Sequence, residues 1–159
     1  MRVVKMMAVK DFMITDVISS KPTDTIKDVM KLLVEKRIGG VPIVDDDGKL
    51  RGIVTDGDIL RMIRPKDRQI VDYFSFAMLL EEEDLEHRLI EVANQSIMKI
   101  ARTDRIVTVH PEDDMKKVVI LLSKHHFKKL PVIDRSQHVV GVISRGMPYG
   151  IFNVPSYRI

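Results

Sequence analysis

Residues 40–58 read GVPIVDDDGKLRGIVTDGD, and the fold turns on them. Two apolar runs, 41–45 and 50–55, flank Asp46-Asp47-Gly48. Carboxylates that bond their own backbone, followed by a glycine free to take a positive φ, make a turn, so the runs are two strands. The second strand leads into a helical pattern over 56–63, which stops before Pro65. Residues 129–147, KLPVIDRSQHVVGVISRGM, repeat this plan 89 positions later. Pro22, Asp24, Lys27, Val29, Leu32, Leu33, Pro42, Asp45, Gly52 and Gly57 all recur at that offset. That makes 10 identities over residues 18–58 without a gap, where unrelated composition would give roughly 2–3.

Each copy therefore reads strand, helix, strand, strand, helix. In the first, residues 17–20 form a short strand that ends before Pro22. Thr25 with Asp28 three residues on fits a capping box, and the helix runs to about Lys36 with Ile26, Val29, Met30 and Leu33 on its buried stripe. The second copy has a strand over 105–109, a helix opening near Asp114 with Met115, Val118, Val119 and Leu122 inward, and strands over 130–134 and 139–144. Neither half is large enough to bury a core alone, so the two pack on each other, and the cleft between them is a natural ligand site. Between the copies, residues 76–92 read as a connecting helix with Met78, Leu79, Leu85, Leu89 and Val92 apolar. Its acidic run at 81–84 reads as a solvated face. The expected organisation is a first motif over 10–64, a helical linker over 65–95, a second motif over 96–147 and a tail over 148–159. The fold class is α+β.

Composition narrows the function. The chain has 159 residues, 45% of them hydrophobic and 31% charged, which is a globular balance. It has no cysteine, hence no disulfide framework or thiolate metal site. No apolar run approaches the length needed to span a membrane, and the N-terminal decapeptide is a poor signal peptide, so cytoplasm is the expected location. A net charge of +3 permits anionic ligands without marking a nucleic-acid binder. Arg61, Arg64, Lys66 and Arg68 form a basic cluster, but aromatics are only 5% of the chain and are not interleaved with it. No phosphate-loop, zincin or nucleophile-elbow motif is present, so no catalytic residues are assigned.

The segment 52–58 carries its own chemistry. Thr55 stands where a strand meets a helix, and its hydroxyl there can hold a phosphate or ribose oxygen beside free backbone N–H groups. Asp58, one turn on, is an acceptor-only group suited to the two hydroxyls of a ribose. The competing assignment is that Thr55 and Asp56 simply cap the helix.

These ordered, duplicated elements resemble a pair of cystathionine-β-synthase (CBS) domains. Asp11-Phe12-Met13 and Ile97-Met98 match the family's openings, 40–45 and 129–134 its central strands, and 52–58 and 141–144 its closing strands. The resemblance implies a β-α-β-β-α fold per copy and frequent homodimerisation. It also implies regulatory binding of an adenosyl ligand (AMP, ADP, ATP or S-adenosylmethionine), as in energy sensing, with occupancy passed to an unknown regulated partner and no cofactor required. It places adenine near Ile18, Ser20, Val41 and Pro42, and phosphates near Lys128 and Lys129. Ser144 matches Thr55, but Met147 stands where Asp58 does, so the second site is expected to be degenerate. The alternatives are a ligand-free dimerisation scaffold and, further off, a nucleic-acid binder.

Overall fold

A computed structural model describes residues 6–65, 70–73, 76–79 and 84–146. Thr25 caps α1 (Ile26–Lys36) by accepting from the Asp28 N–H, while Asp28 accepts from the Thr25 N–H at 2.9 Å, the reciprocal box expected from the sequence. The helix ends at Arg37 in the left-handed region, and the chain returns as β1 (Gly40–Val44), antiparallel to β2 (Leu50–Thr55). Helix α2 (Asp56–Ile63) follows directly. The second copy gives α4 (Met115–Lys124) and the antiparallel pair β5 (Lys129–Ile133) and β6 (Val139–Ser144).

The repeat extends to individual hydrogen bonds. Asp45 Oδ1 accepts from the N–H groups of Asp47 and Lys49; Asp134 Oδ1 accepts from Ser136 and His138. Gly48 and Gln137, equivalent by the 89-residue offset, both take positive φ, +78° and +69°. The strands expected over 17–20 and 105–109 are shorter than the sequence suggested. Each makes a single-residue parallel bridge: Ser20 N–H donates to the Pro42 carbonyl and Val44 N–H to the Ser20 carbonyl, with Val109, Pro131 and Ile133 repeating the pattern. Left-handed Arg105 (φ +47°) and a tight turn at Thr15–Val17 leave too little extended chain for a longer pairing.

The linker also differs from expectation. Residues 76–79 belong to a hairpin of β3 (Ile70–Tyr73) and β4 (Phe76–Leu79), and helix α3 covers only Leu85–Ala93. Asp84 caps α3 by accepting from the Glu86 N–H, which fixes its start there. The six-residue step from Leu79 to Leu85 breaks the helical period, and the β-branched and aromatic residues at 70–76 favour extended backbone. The acidic residues 81–83, the basic residues Lys66 and Arg68, Met147 and the tail 148–159 lie outside the described residues.

The core comes in two halves that exchange their leading segments. Ile97, at the head of a 3₁₀ turn (Ile97–Lys99) that opens the second motif, is fully buried among Ile26, Val29, Val41 and Val54 of the first. Reciprocally, Val9 in a 3₁₀ turn (Val9–Asp11) is buried among Val109, Met115, Val118 and Leu130 of the second. Ile97 N–H donates to the Asp24 carbonyl, and Val9 N–H to the Asp113 carbonyl. Beyond these turns Ile14 exchanges two backbone bonds with Val142, and Arg102 two with Ile53. Glycine permits both approaches. A Cβ on Gly52 would lie 3.2 Å from the Arg102 carbonyl oxygen, and one on Gly141 3.1 Å from that of Ile14. No helix among the described residues is long and apolar enough to cross a membrane.

Candidate functional site

Strand β2 delivers Thr55 to the N-terminus of α2, and there the local geometry closes on itself. Thr55 Oγ1 donates to Asp58 Oδ2 at 2.8 Å and accepts from the Asp58 N–H at 3.4 Å, while the Thr55 N–H donates to the same carboxylate oxygen at 2.8 Å. The other oxygen, Oδ1, accepts from Arg61 at 2.5 Å. The capping role considered for Thr55 is thus realised, and both oxygens of Asp58 are engaged within their own helix. The Arg61 side chain is 72% exposed, so its pair with Asp58 contributes little and is readily exchanged.

Thr55, Asp58 and Arg61 form one wall of a cleft of about 230 Å³. The facing wall is the loop from α4 into β5, with His126, Phe127, Lys128 and Lys129, and Arg102 closes the end from the exchanged segment. The cleft is therefore built from both copies. Lys128 reaches across to pair with Asp56, the first residue of α2. Lys129 is half-buried, and burial holds its ammonium below the ordinary lysine range. Lys129 has no carboxylate partner among the described residues, and neither does Arg102.

On the other side of Lys129 lies an apolar slot of about 70 Å³. Its walls include Ile14, Val17, Ile18, Ile38, Pro42 and Val142, and the carboxylate-bearing Asp16 lines it as well. Lys129 lines both spaces, so the slot and the cleft adjoin at its side chain.

Of the residues singled out from the sequence, the structure brings Thr55, Asp58, Lys128 and Lys129 to the cleft and Ile18 and Pro42 to the slot. Ser20, Val41 and Ser144 line neither. Val41 alternates with Pro42 along β1 and is fully buried in the core. Ser20 is 1% exposed, and its hydroxyl donates to Asp24 at 2.9 Å. Ser144 ends β6 opposite Lys129. Arg102 was missed, since only the segment exchange carries it to the cleft. Arg61 stands in the sequence as one member of a basic cluster, although its i, i+3 spacing from Asp58 is visible there. No cluster of metal-ligating side chains occurs among the described residues.

Comparison with known proteins agrees with this architecture. The chain is 27% identical over 155 residues to protein MJ1426 of Methanocaldococcus jannaschii, covering 89% of each. The structure of CBSX2 in complex with AMP superposes with a TM-score of 0.67 at 25% identity, covering 88% of this chain and 91% of that one. The chain spans about half (54%) of the whole CBSX2 protein of Arabidopsis thaliana. The CBS domain pair of protein MJ0100, solved with 5′-methylthioadenosine and S-adenosyl-L-methionine, shares the fold, with a TM-score of 0.68 at 24% identity over 93% of this chain and 97% of that one. Residues 9–65 and 97–146 match the profile of the CBS domain, and the chain belongs to that family as a tandem pair.

Proposed function

We propose that this CBS pair is a regulatory module, not itself catalytic, that binds an adenosyl ligand between its two motifs and passes occupancy to a partner protein. One observation carries the reading. An apolar slot and a cationic cleft adjoin at Lys129, matching a ligand that is flat and apolar at one end and polar at the other. Ile18, Pro42 and Val142 would hold the base. Asp58 would take the ribose hydroxyls once Arg61 releases Oδ1, and Thr55, Lys128 and Lys129 would face the substituent on the sugar. The AMP complex of CBSX2 supports this choice of ligand class. Met147 in place of a second Asp58 points to one competent site.

A ligand can favour one arrangement of the motifs only by its differential affinity for the alternatives. Homodimerisation, expected from the resemblance, would use the apolar face where α1 meets α2 and α3. There Val34, Leu60 and Ile90 are 76%, 60% and 68% exposed. Val34 also lines a groove of about 500 Å³ between α1 and α3.

The test is a thermal-unfolding screen with AMP, ADP, ATP and S-adenosylmethionine. A ligand at a hundred times its Kd should stabilise by about 2.7 kcal/mol, and Ile18→Lys, which puts a charge in the slot, should abolish the gain. If no ligand raises the midpoint, the scaffold reading replaces this one.

A further inference from the structure

We propose that the groove between α1 and α3 is where the regulated partner docks, and that the partner seats there an amphipathic helix with acidic residues on one flank. The inference rests on the partner in the function proposed above, not on its ligand. Met30 of α1, with Leu89 and Ala93 of α3, gives the groove its apolar surface. Val34 and Ile90 line it from the two helices and are left largely in water. An open apolar trough between two helices has the shape that takes a third, whose side chains at i, i+3, i+4 and i+7 fill it. The groove shares no lining residue with the cleft or the slot, so a filled ligand site leaves it open.

Charge selects the occupant. Lys27 and Lys31, one turn apart on α1, line the groove and are exposed. Neither is in an ion pair among the described residues. Lys27 stands in the first turn of α1, where the helix end is itself positive, so the charges add. The carboxylates of the two helices do not answer them. Asp28 holds the cap of α1, accepting from the Thr25 N–H at 2.9 Å and the Thr25 hydroxyl at 2.7 Å. Glu91 pairs with Arg88 at 2.9 Å. Glu35 lines the far end of the groove, about 12 Å along α1 from Lys27. Lys36, Glu86 and His87 do not line it.

One end of the trough is therefore an unpaired positive rim, and carboxylates beside the apolar stripe of a docked helix would meet it. A second copy suits the groove less well. It would bring its own Lys27 and Lys31 to the face with Glu35 as the one lining carboxylate to meet them. Because Val34 and Ile90 also belong to the face named for self-association, partner and second copy exclude each other there.

The test is fluorescence anisotropy with a helical peptide of about 15 residues, leucine at i, i+3, i+4 and i+7 and glutamate beside that stripe. A second peptide carries lysine in place of glutamate, and no nucleotide is present. The wild-type chain should bind the glutamate peptide about tenfold tighter, as expected when two exposed ion pairs replace two repulsions. The difference should shrink as salt rises. Lys27→Glu/Lys31→Glu should invert the preference, and Ile90→Ser should weaken both peptides by about tenfold. All three side chains are exposed, and an unchanged circular dichroism spectrum checks that the variants fold. Equal affinity for the two peptides, or a preference that survives the double reversal, overturns the proposal. So does an absence of binding; a dimer by light scattering that Ile90→Ser splits would then make the second copy the occupant. Peptide selection with no thermal shift from any adenosyl ligand would keep this surface and drop the ligand reading. A thermal shift without peptide binding would do the reverse.

Discussion

Gly141→Ala probes the exchange of leading segments most directly. A Cβ at residue 141 would sit 2.7 Å from Met13 Sδ and 3.1 Å from the Ile14 carbonyl oxygen. The thioether can rotate aside at modest cost. The carbonyl is backbone and accepts from the Val142 N–H at 3.0 Å, while the Ile14 N–H donates to the Val142 carbonyl at 2.9 Å, so Ile14 can yield only by straining this pair of bonds. Such overpacking costs about 1–3 kcal/mol, and strain on two hydrogen bonds lies in the same range, since each contributes about 0.5–1.5 kcal/mol. The lost freedom of glycine in the unfolded chain offsets about 0.4–1 kcal/mol. The net expectation is a loss of about 1–2 kcal/mol, or roughly 2–8 °C in Tm for a chain of this length. Urea unfolding should show a lower midpoint with an unchanged slope, and hydrogen exchange should accelerate at Ile14 and Val142. Gly146→Ala is the control, because a Cβ there meets nothing within 4 Å. Should Gly141→Ala match or exceed the wild type with protection at Ile14 intact, the close approach would not be what pins the N-terminal segment to the second motif. Because Ile14 and Val142 both line the apolar slot, the same variant should also weaken ligand binding.

Removing the cap at α1 with Thr25→Ala should cost about 1 kcal/mol in urea unfolding, and Thr25→Ser should restore most of it; an unchanged midpoint in the alanine variant would contradict the reciprocal box. Asp45 and Asp134 are held below the ordinary carboxylate value of 3.8, chiefly by the Lys49 and His138 backbone N–H groups respectively. Their contribution to stability is therefore present above that value and lost as pH falls through the lowered folded-state values. Asp45→Asn/Asp134→Asn should show a flatter dependence of stability on pH at the acid end, and an acid limb identical to the wild type would refute the assignment. Lys129 works in the opposite region. Its folded pKa lies below the unfolded 10.5, so the folded state releases its proton first and stability rises with pH across that alkaline window. Lys129→Met should accordingly unfold at a higher temperature at neutral pH and lose that alkaline rise; a lower Tm would mean that the ammonium is favourably paired.

Local chemistry made the hairpins and caps legible. Asp45 and Asp134 announce their turns through side-chain bonds to the next few N–H groups, and Thr25 with Asp28 announces the start of α1. The fold family followed because these signals recur in the same order. Arg102 was not legible as a cleft residue. Its place depends on two backbone bonds to Ile53, 49 positions away, and no local pattern encodes a partner at that separation. The helix expected across 76–79 failed for a related reason: the six-residue step from Leu79 to Leu85 does not fit one helical period. At the site, strand alternation could have separated Pro42, which faces the slot, from Val41, which faces the core. The engagement of Asp58 by Arg61 was written in their three-residue spacing, but which of two acceptors an arginine chooses is decided by neighbours the sequence does not order in space.

The traded segments bear on how the molecule divides. Severing the backbone between Pro65 and Asp84 would not liberate two autonomous halves, because each fragment would carry away the plug of its sibling: Ile97 with the latter piece, Val9 with the former. Either fragment alone would present an open apolar socket and a tendency to aggregate. Mixed together, the two should complement one another, each supplying the stopper the other lacks.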